Sequence, residues 1–123
     1  MFSRHMEHLS SIDKTRPTNS ESPYILVWVF IVRSGLEEIF KEKYGPNGVW
    51  ANFFNSDPAY IRTELLQDSF NPQRFLTIDF WVSKEAYELF LAKHHATYER
   101  IDAECEALTE KETFLGTLNQ KNE

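Results

Sequence analysis

The nine residues from Tyr24 to Val32, YILVWVFIV, form the longest apolar run in the chain and constrain its fold more than any other stretch. In a strand, side chains alternate between two faces. Tyr24, Leu26, Trp28, Phe30 and Val32 fall on one face, and Ile25, Val27, Val29 and Ile31 on the other. Both sets are apolar, so both faces need cover. A chain of 123 residues builds one domain around one modest core. Helices can cover one face of its sheet, and a second subunit is the natural cover for the other.

The flanking sequence supplies the helices. Pro23 opens the strand, where a missing donor does little harm. Ser34 and Glu37 have capping-box spacing. Leu36, Ile39, Phe40 and Tyr44 then recur at helical spacing, with Glu37 and Lys41 one turn apart outside. Gly45-Pro46 stops this helix. Within Asn47 to Pro58, the residues Trp50, Phe53 and Phe54 fit a single helical turn, as a core plug or as a lid over a pocket. Tyr60 to Leu66 reads as a strand with Tyr60, Arg62, Glu64 and Leu66 on one face and Ile61, Thr63 and Leu65 on the other. Turn residues fill Asp68 to Pro72, and Gln73 to Val82 returns as the second arm of a hairpin. Ser83 caps a long second helix. Its stripe runs unbroken through Tyr87, Leu91, His94, Tyr98, Ile101 and Cys105. Thr113 to Leu118 is a last short strand.

The order strand, helix, strand, strand, helix, strand predicts an α+β fold. It is the ferredoxin-like βαββαβ arrangement, an antiparallel sheet with helices on one face. The domain occupies residues 23–118, between a polar, Ser/Thr-rich leader at 1–22 and a polar tail at 119–123. His5 and His8 in the leader read as solvated side chains, because no third metal ligand lies near them. A homodimer through the open sheet face would complete the two-faced strand.

Ten Phe, five Tyr and three Trp argue for a packed core or a large apolar pocket. A net charge of −6, with scattered Lys and Arg, argues against a nucleic-acid partner. No apolar run approaches the roughly 20 residues of a membrane span, and the leader lacks the apolar stretch of a secretory signal. One cysteine excludes an internal disulfide. The expectation is a soluble cytoplasmic protein that does not bind membranes.

Five pieces of sequence carry a family resemblance: YILVWVFIV with its Ser-Gly helix start, YGPNGVWANFF, YIRTELLQD, RFLTIDFWVSKEAYELF and ECEALTEKETFLG. The most specific part is LTIDFWVSKEAY, a strand ending in Trp followed after one residue by Ser and a Glu-rich helix start. Over residues 23–118 the chain resembles the antibiotic biosynthesis monooxygenase (ABM) domain of the dimeric α/β barrel superfamily. The resemblance implies a homodimer whose two sheets close face to face into a barrel, with a pocket between sheet and helices in each subunit. Some members of that family oxidise polycyclic phenols or quinols with molecular oxygen and no cofactor, while others bind and degrade haem. The haem-degrading branch uses an Asn on the first strand, a Trp on the hairpin strand and a His ten residues later. Trp81 fits the Trp, but ten residues on stands Leu91, and the nearest histidines are His94 and His95. The first strand has no Asn, and Trp28 lies near its place. No cofactor is therefore expected, and haem binding stands only as a minor variant of a ligand-binding role.

Thr77, Asp79 and Trp81 share a strand face. The family pattern turns that face toward the helices and leaves Leu76, Ile78, Phe80 and Val82 on the dimer seam. A carboxylate in an apolar layer needs a partner. Asp79 can be a general base that removes a phenolic proton before oxygen reacts. It can equally pair with Arg62 or a hydroxyl on the neighbouring strand and only fix register. His94, on the inward stripe, is a second candidate base or a satisfied core histidine. His95 points elsewhere, to the surface. Trp81, Trp28, Trp50 and Phe54 can stack on a flat aromatic ligand or simply fill the core, and Tyr98 and Tyr24 can orient such a ligand through their hydroxyls. The candidate catalytic set is Asp79, His94 and Trp81. Cys105 has no basic neighbour in sequence and reads as a buried spectator. Three functions fit: a cofactor-independent monooxygenase acting on a small aromatic or quinol-like substrate, a non-catalytic binder of a small hydrophobic or aromatic ligand, and a protein whose aromatics are core alone.

Overall fold

A computed structural model describes residues 23–121. The expectations for the leader, His5 and His8 included, lie outside the described residues. The two-faced strand β1 (Tyr24–Val32) is central in the sheet, as its composition demands. It pairs antiparallel with β3 (Arg74–Trp81) on one side and β4 (Thr109–Asn119) on the other, and β2 (Tyr60–Gln67) pairs with β3. The strand order is β2-β3-β1-β4, the ferredoxin-like order, in an open sheet and not a closed barrel. Helices α1 (Glu37–Tyr44), α2 (Val49–Phe54), α3 (Lys84–Lys93) and α4 (His95–Cys105) complete the expected α+β fold, with a 3-10 turn at Glu106–Leu108. None of the described helices is long and apolar enough to cross a membrane.

Alternation holds along β3. Phe75, Thr77, Asp79 and Trp81 are buried, whereas Leu76, Ile78 and Phe80 are half-buried on the other face. On β1, Leu26, Phe30 and Val32 are fully enclosed by a core that also takes in Phe40, Trp50, Phe54, Phe90, Tyr98 and Ile101 from the helices. On the opposite face the Arg62 guanidinium lies 3.8 Å above the Phe80 ring, a cation–π contact.

Local signals act where they were expected. Ser83 Oγ accepts from the Ala86 N–H at 3.1 Å and starts α3, and the Gly45 N–H donates to the Lys41 carbonyl and ends α1. Asp68 organises the β2–β3 turn by accepting from the Phe70 and Asn71 N–H groups at 2.7 and 3.1 Å.

Four features depart from the sequence reading. The capping box does not form: Gly35, at φ +91°, turns the chain, the Glu37 carboxylate accepts from the Gly35 N–H, and α1 starts at Glu37. Phe40 and Tyr44 then face the core while Ile39 is exposed, and Lys41 pairs with Glu38 rather than Glu37. The long second helix is two helices, broken at His94, where φ −114° and ψ 32° leave the helical region. A bulge in β2 between Tyr60 and Arg62 shifts the register against β3. Finally, β4 begins at Thr109, not Thr113, because the polar segment from Glu110 to Glu112 gains backbone pairing to β1 without needing apolar side chains.

Candidate functional site

Three rows of residues cross the sheet beneath the helices. Tyr60, Trp81 and Tyr24 form the first across β2, β3 and β1. Thr63, Asp79 and Leu26 form the second, and Leu65, Thr77 and Trp28 the third. Strict alternation would put Tyr60 on the face opposite Thr63. The bulge makes Ile61 an extra residue, so Tyr60 and Thr63 share the helix-covered face.

That rearrangement gives Asp79 its partner. The Thr63 hydroxyl donates to Asp79 Oδ1 at 2.7 Å, and the Tyr60 hydroxyl lies 2.7 Å from Thr63 Oγ1. With the Thr63 proton directed at the carboxylate, Tyr60 is the donor in the second bond. Asp79 is 4% exposed and Thr63 5%. Of the two partners foreseen for Asp79, the neighbouring hydroxyl is the one that forms. Arg62 turns to the other face, where its Nε meets Glu64 Oε2 at 3.1 Å.

Asp79 is flanked on its own strand by two unsatisfied groups. Thr77 Oγ1 and the Trp81 indole N–H are both buried and have no hydrogen-bond partner among the described residues. Each such group costs about 1–3 kcal/mol when left unmade. An acceptor between two donors, set in an apolar layer, is a hydrogen-bonding pattern that a ligand with oxygen atoms would complete.

The layer above is aromatic. Gly48 leads into α2 through a close approach: a Cβ there would meet the Lys43 carbonyl and lie 2.5 Å from the Glu42 carbonyl oxygen. Phe54 from α2 touches Trp81 and Tyr60, with ring centroids at 5.6 and 5.7 Å. Trp50 touches Tyr98 at 5.0 Å. Trp50 and Phe54 are each 2% exposed and act as the core plug. Trp28 lies at the far end of the layer, packed on Phe114. Tyr24 packs on Tyr87 beside Glu88; burial, and then the Glu88 charge, push its hydroxyl well above the ordinary tyrosine range.

Burial also raises the Tyr60 pKa. The bond with Thr63 opposes that rise and the Asp79 charge adds to it. Glu88 is raised by burial, with Lys84 opposing and Glu85 reinforcing. Cys105 is buried, and desolvation raises its thiol despite hydrogen bonds with Tyr44 and Trp50, which suits a spectator.

His94 is half-buried and stacks on Phe90 at 4.6 Å. Phe90 in turn touches Trp81 at 5.3 Å and so stands between the imidazole and the β3 strand. The fold thus gathers Asp79 and Trp81 with Tyr60, Thr63 and Thr77, and sets His94 and Tyr98 one aromatic ring back. His95 lies at the surface, 3.2 Å from Glu99. Among the described residues no group of three or more His, Cys, Asp or Glu is placed to hold a metal ion. Tyr60 carried no signal beyond being polar in its strand, and Thr63 was legible only as a hydroxyl on the strand neighbouring Asp79.

No protein-family profile and no curated protein sequence matches the chain. Solved structures do match it. SnoaB, a cofactor-independent oxygenase from Streptomyces nogalater, superposes with a TM-score of 0.60 at 19% identity, covering 83% of this chain and 96% of SnoaB. A candidate antibiotic biosynthesis monooxygenase from Nitrosomonas europaea gives 0.58 at 16% identity, with 81% and 89% covered. One from Chloroflexus aurantiacus gives 0.57 at 15% identity, with 80% and 91% covered. The domain is ABM-like in fold. The expected resemblance is therefore borne out at the level of architecture, over nearly the whole of each ABM-like chain.

Proposed function

We propose that the protein is a cofactor-independent monooxygenase acting on a small aromatic or quinol-like substrate held between the sheet and the helices. The observation that carries this reading is the Thr77–Asp79–Trp81 face, a buried carboxylate between two donors that have no hydrogen-bond partner among the described residues. The ABM-like fold supports it, since SnoaB of the same fold is a cofactor-independent oxygenase. In this reading Asp79 takes the phenolic proton, and Thr77 and Trp81 donate to substrate oxygens. Trp50, Phe54 and Trp28 bound the ring system. Tyr24 and Tyr98 orient it, and His94 serves as a proton acceptor at the rim. The electrons come from the substrate, so neither haem nor another cofactor takes part. A homodimer through the face bearing Leu76, Ile78 and Phe80 closes the barrel, and the protein works in the cytoplasm.

The test uses 1,4-dihydroxynaphthalene and ¹⁸O₂. Once the phenol is deprotonated, the ring gives up electrons to oxygen and a peroxide forms at the adjacent carbon. Loss of water then leaves 2-hydroxy-1,4-naphthoquinone, with one oxygen atom in the product and one in water. Enzyme-dependent label in the product, above the spontaneous rate, is the expected result. Tight binding with no oxygen uptake would favour the ligand-binder reading, whereas the close ring contacts among Trp50, Phe54, Trp81 and Tyr98 favour the reading in which the aromatics are core alone.

A further inference from the structure

We infer that Thr63 and Tyr60 form a proton relay that carries the proton taken up by Asp79 to the outer strand of the sheet. The inference rests on the reading of Asp79 as the base. Two hydrogen bonds of 2.7 Å link the three side chains in series. Across the sheet, Asp79 faces Thr63 on its β2 side, so this hydrogen-bonded route leads outward to β2. β2 is an edge strand, and Tyr60 is half-buried where Asp79 and Thr63 are fully buried. The bulge at Ile61 brings Tyr60 onto this face. Bulges that re-aim a side chain are common beside active sites.

The steps balance. In the resting chain Tyr60 donates to Thr63, and Thr63 donates to Asp79. After Asp79 takes a proton, the hydroxyls of Thr63 and Tyr60 rotate outward. Asp79 then gives a proton to Thr63 Oγ1, Thr63 gives its own to the Tyr60 oxygen, and Tyr60 gives its own to water. The carboxylate is regenerated and the starting orientation restored. Tyr60 stays a neutral phenol throughout, in keeping with the upward pressure of burial on its pKa.

Tyr60→Phe keeps the ring contacts with Phe54 and Trp81 and removes only the hydroxyl. The first readout needs no turnover: exchange of the Thr63 hydroxyl proton with solvent, measured by NMR. The relay predicts that exchange slows at least about tenfold in Tyr60→Phe, and unchanged exchange overturns it. The second readout is turnover of 1,4-dihydroxynaphthalene, where Tyr60→Phe should lower kcat about tenfold with KM unchanged and alter the solvent deuterium isotope effect. If Asp79→Asn abolishes turnover while Tyr60→Phe matches wild type, the relay is wrong and the base assignment survives. If the wild type shows no enzymatic oxygen uptake, the monooxygenase reading fails, and the exchange measurement alone decides the relay.

Discussion

Thr63→Val removes one oxygen atom and almost no volume, so its cost isolates hydrogen bonding. The wild-type hydroxyl donates to a buried carboxylate and accepts from Tyr60. A bond to a charged group contributes about 1.5–3 kcal/mol and a neutral one about 1 kcal/mol. The substitution should therefore destabilise the domain by roughly 2.5–4 kcal/mol, because both partners lose a bond while staying in place. For a domain near 100 residues this is a fall in Tm on the order of 10–20 °C. Urea unfolding with a double-mutant cycle gives the sharper test. In an Asp79→Leu background the same Thr63→Val change should cost under about 1 kcal/mol, since replacing both partners by apolar groups is nearly neutral. A Thr63→Val cost below about 0.5 kcal/mol, or an equal cost in both backgrounds, would refute the claim that this bond anchors Asp79.

Gly48→Ala should cost about 1–3 kcal/mol in chemical denaturation, because its Cβ would press on the Glu42 and Lys43 carbonyls and displace the helix bearing Trp50 and Phe54. Glu88 has a pKa raised above 4.5 by burial, so its stability contribution is full below that value and is lost as pH rises through the folded value. Glu88→Gln should thus stabilise the protein near neutral pH, by on the order of a few tenths of a kcal/mol after solvent screening, and should flatten the fall of Tm with rising pH. Ile78→Arg, on the open sheet face opposite Asp79, should yield a monomer by light scattering if that face joins two subunits, with wild type eluting as a dimer.

Much of the architecture is written in local patterns. The nine apolar residues of β1 demand a central position, and they have it. The period of two in RFLTIDFW puts Asp79 and Trp81 on one face, the family resemblance turns that face toward the helices, and that face is the buried one. Turn residues at Asp68 and Asn71 and the cap at Ser83 act through bonds to backbone a few residues away, which is why they are readable. The bulge at Ile61 is not of this kind. YIRTELL contains no Gly to mark a bulge, and the extra residue shows only when β2 is paired with β3. Missing it placed Tyr60 on the wrong face and hid the Tyr60–Thr63–Asp79 chain. The break at His94 has no Gly or Pro to mark it, and helical periodicity continues through it. Periodicity gives the face His94 occupies but not the Phe90 ring that lies between it and Trp81.

The central proposal is that Asp79 is the base of an oxygen-dependent reaction. Its most direct test is the rate of enzymatic oxygen uptake by Asp79→Asn with 1,4-dihydroxynaphthalene, beside wild type and with folding checked by circular dichroism. Asn keeps the shape and can still accept from Thr63, but it cannot take a proton. The account predicts a folded protein whose rate above background falls by at least about a hundredfold. A folded Asp79→Asn protein that consumes oxygen at the wild-type rate would contradict it.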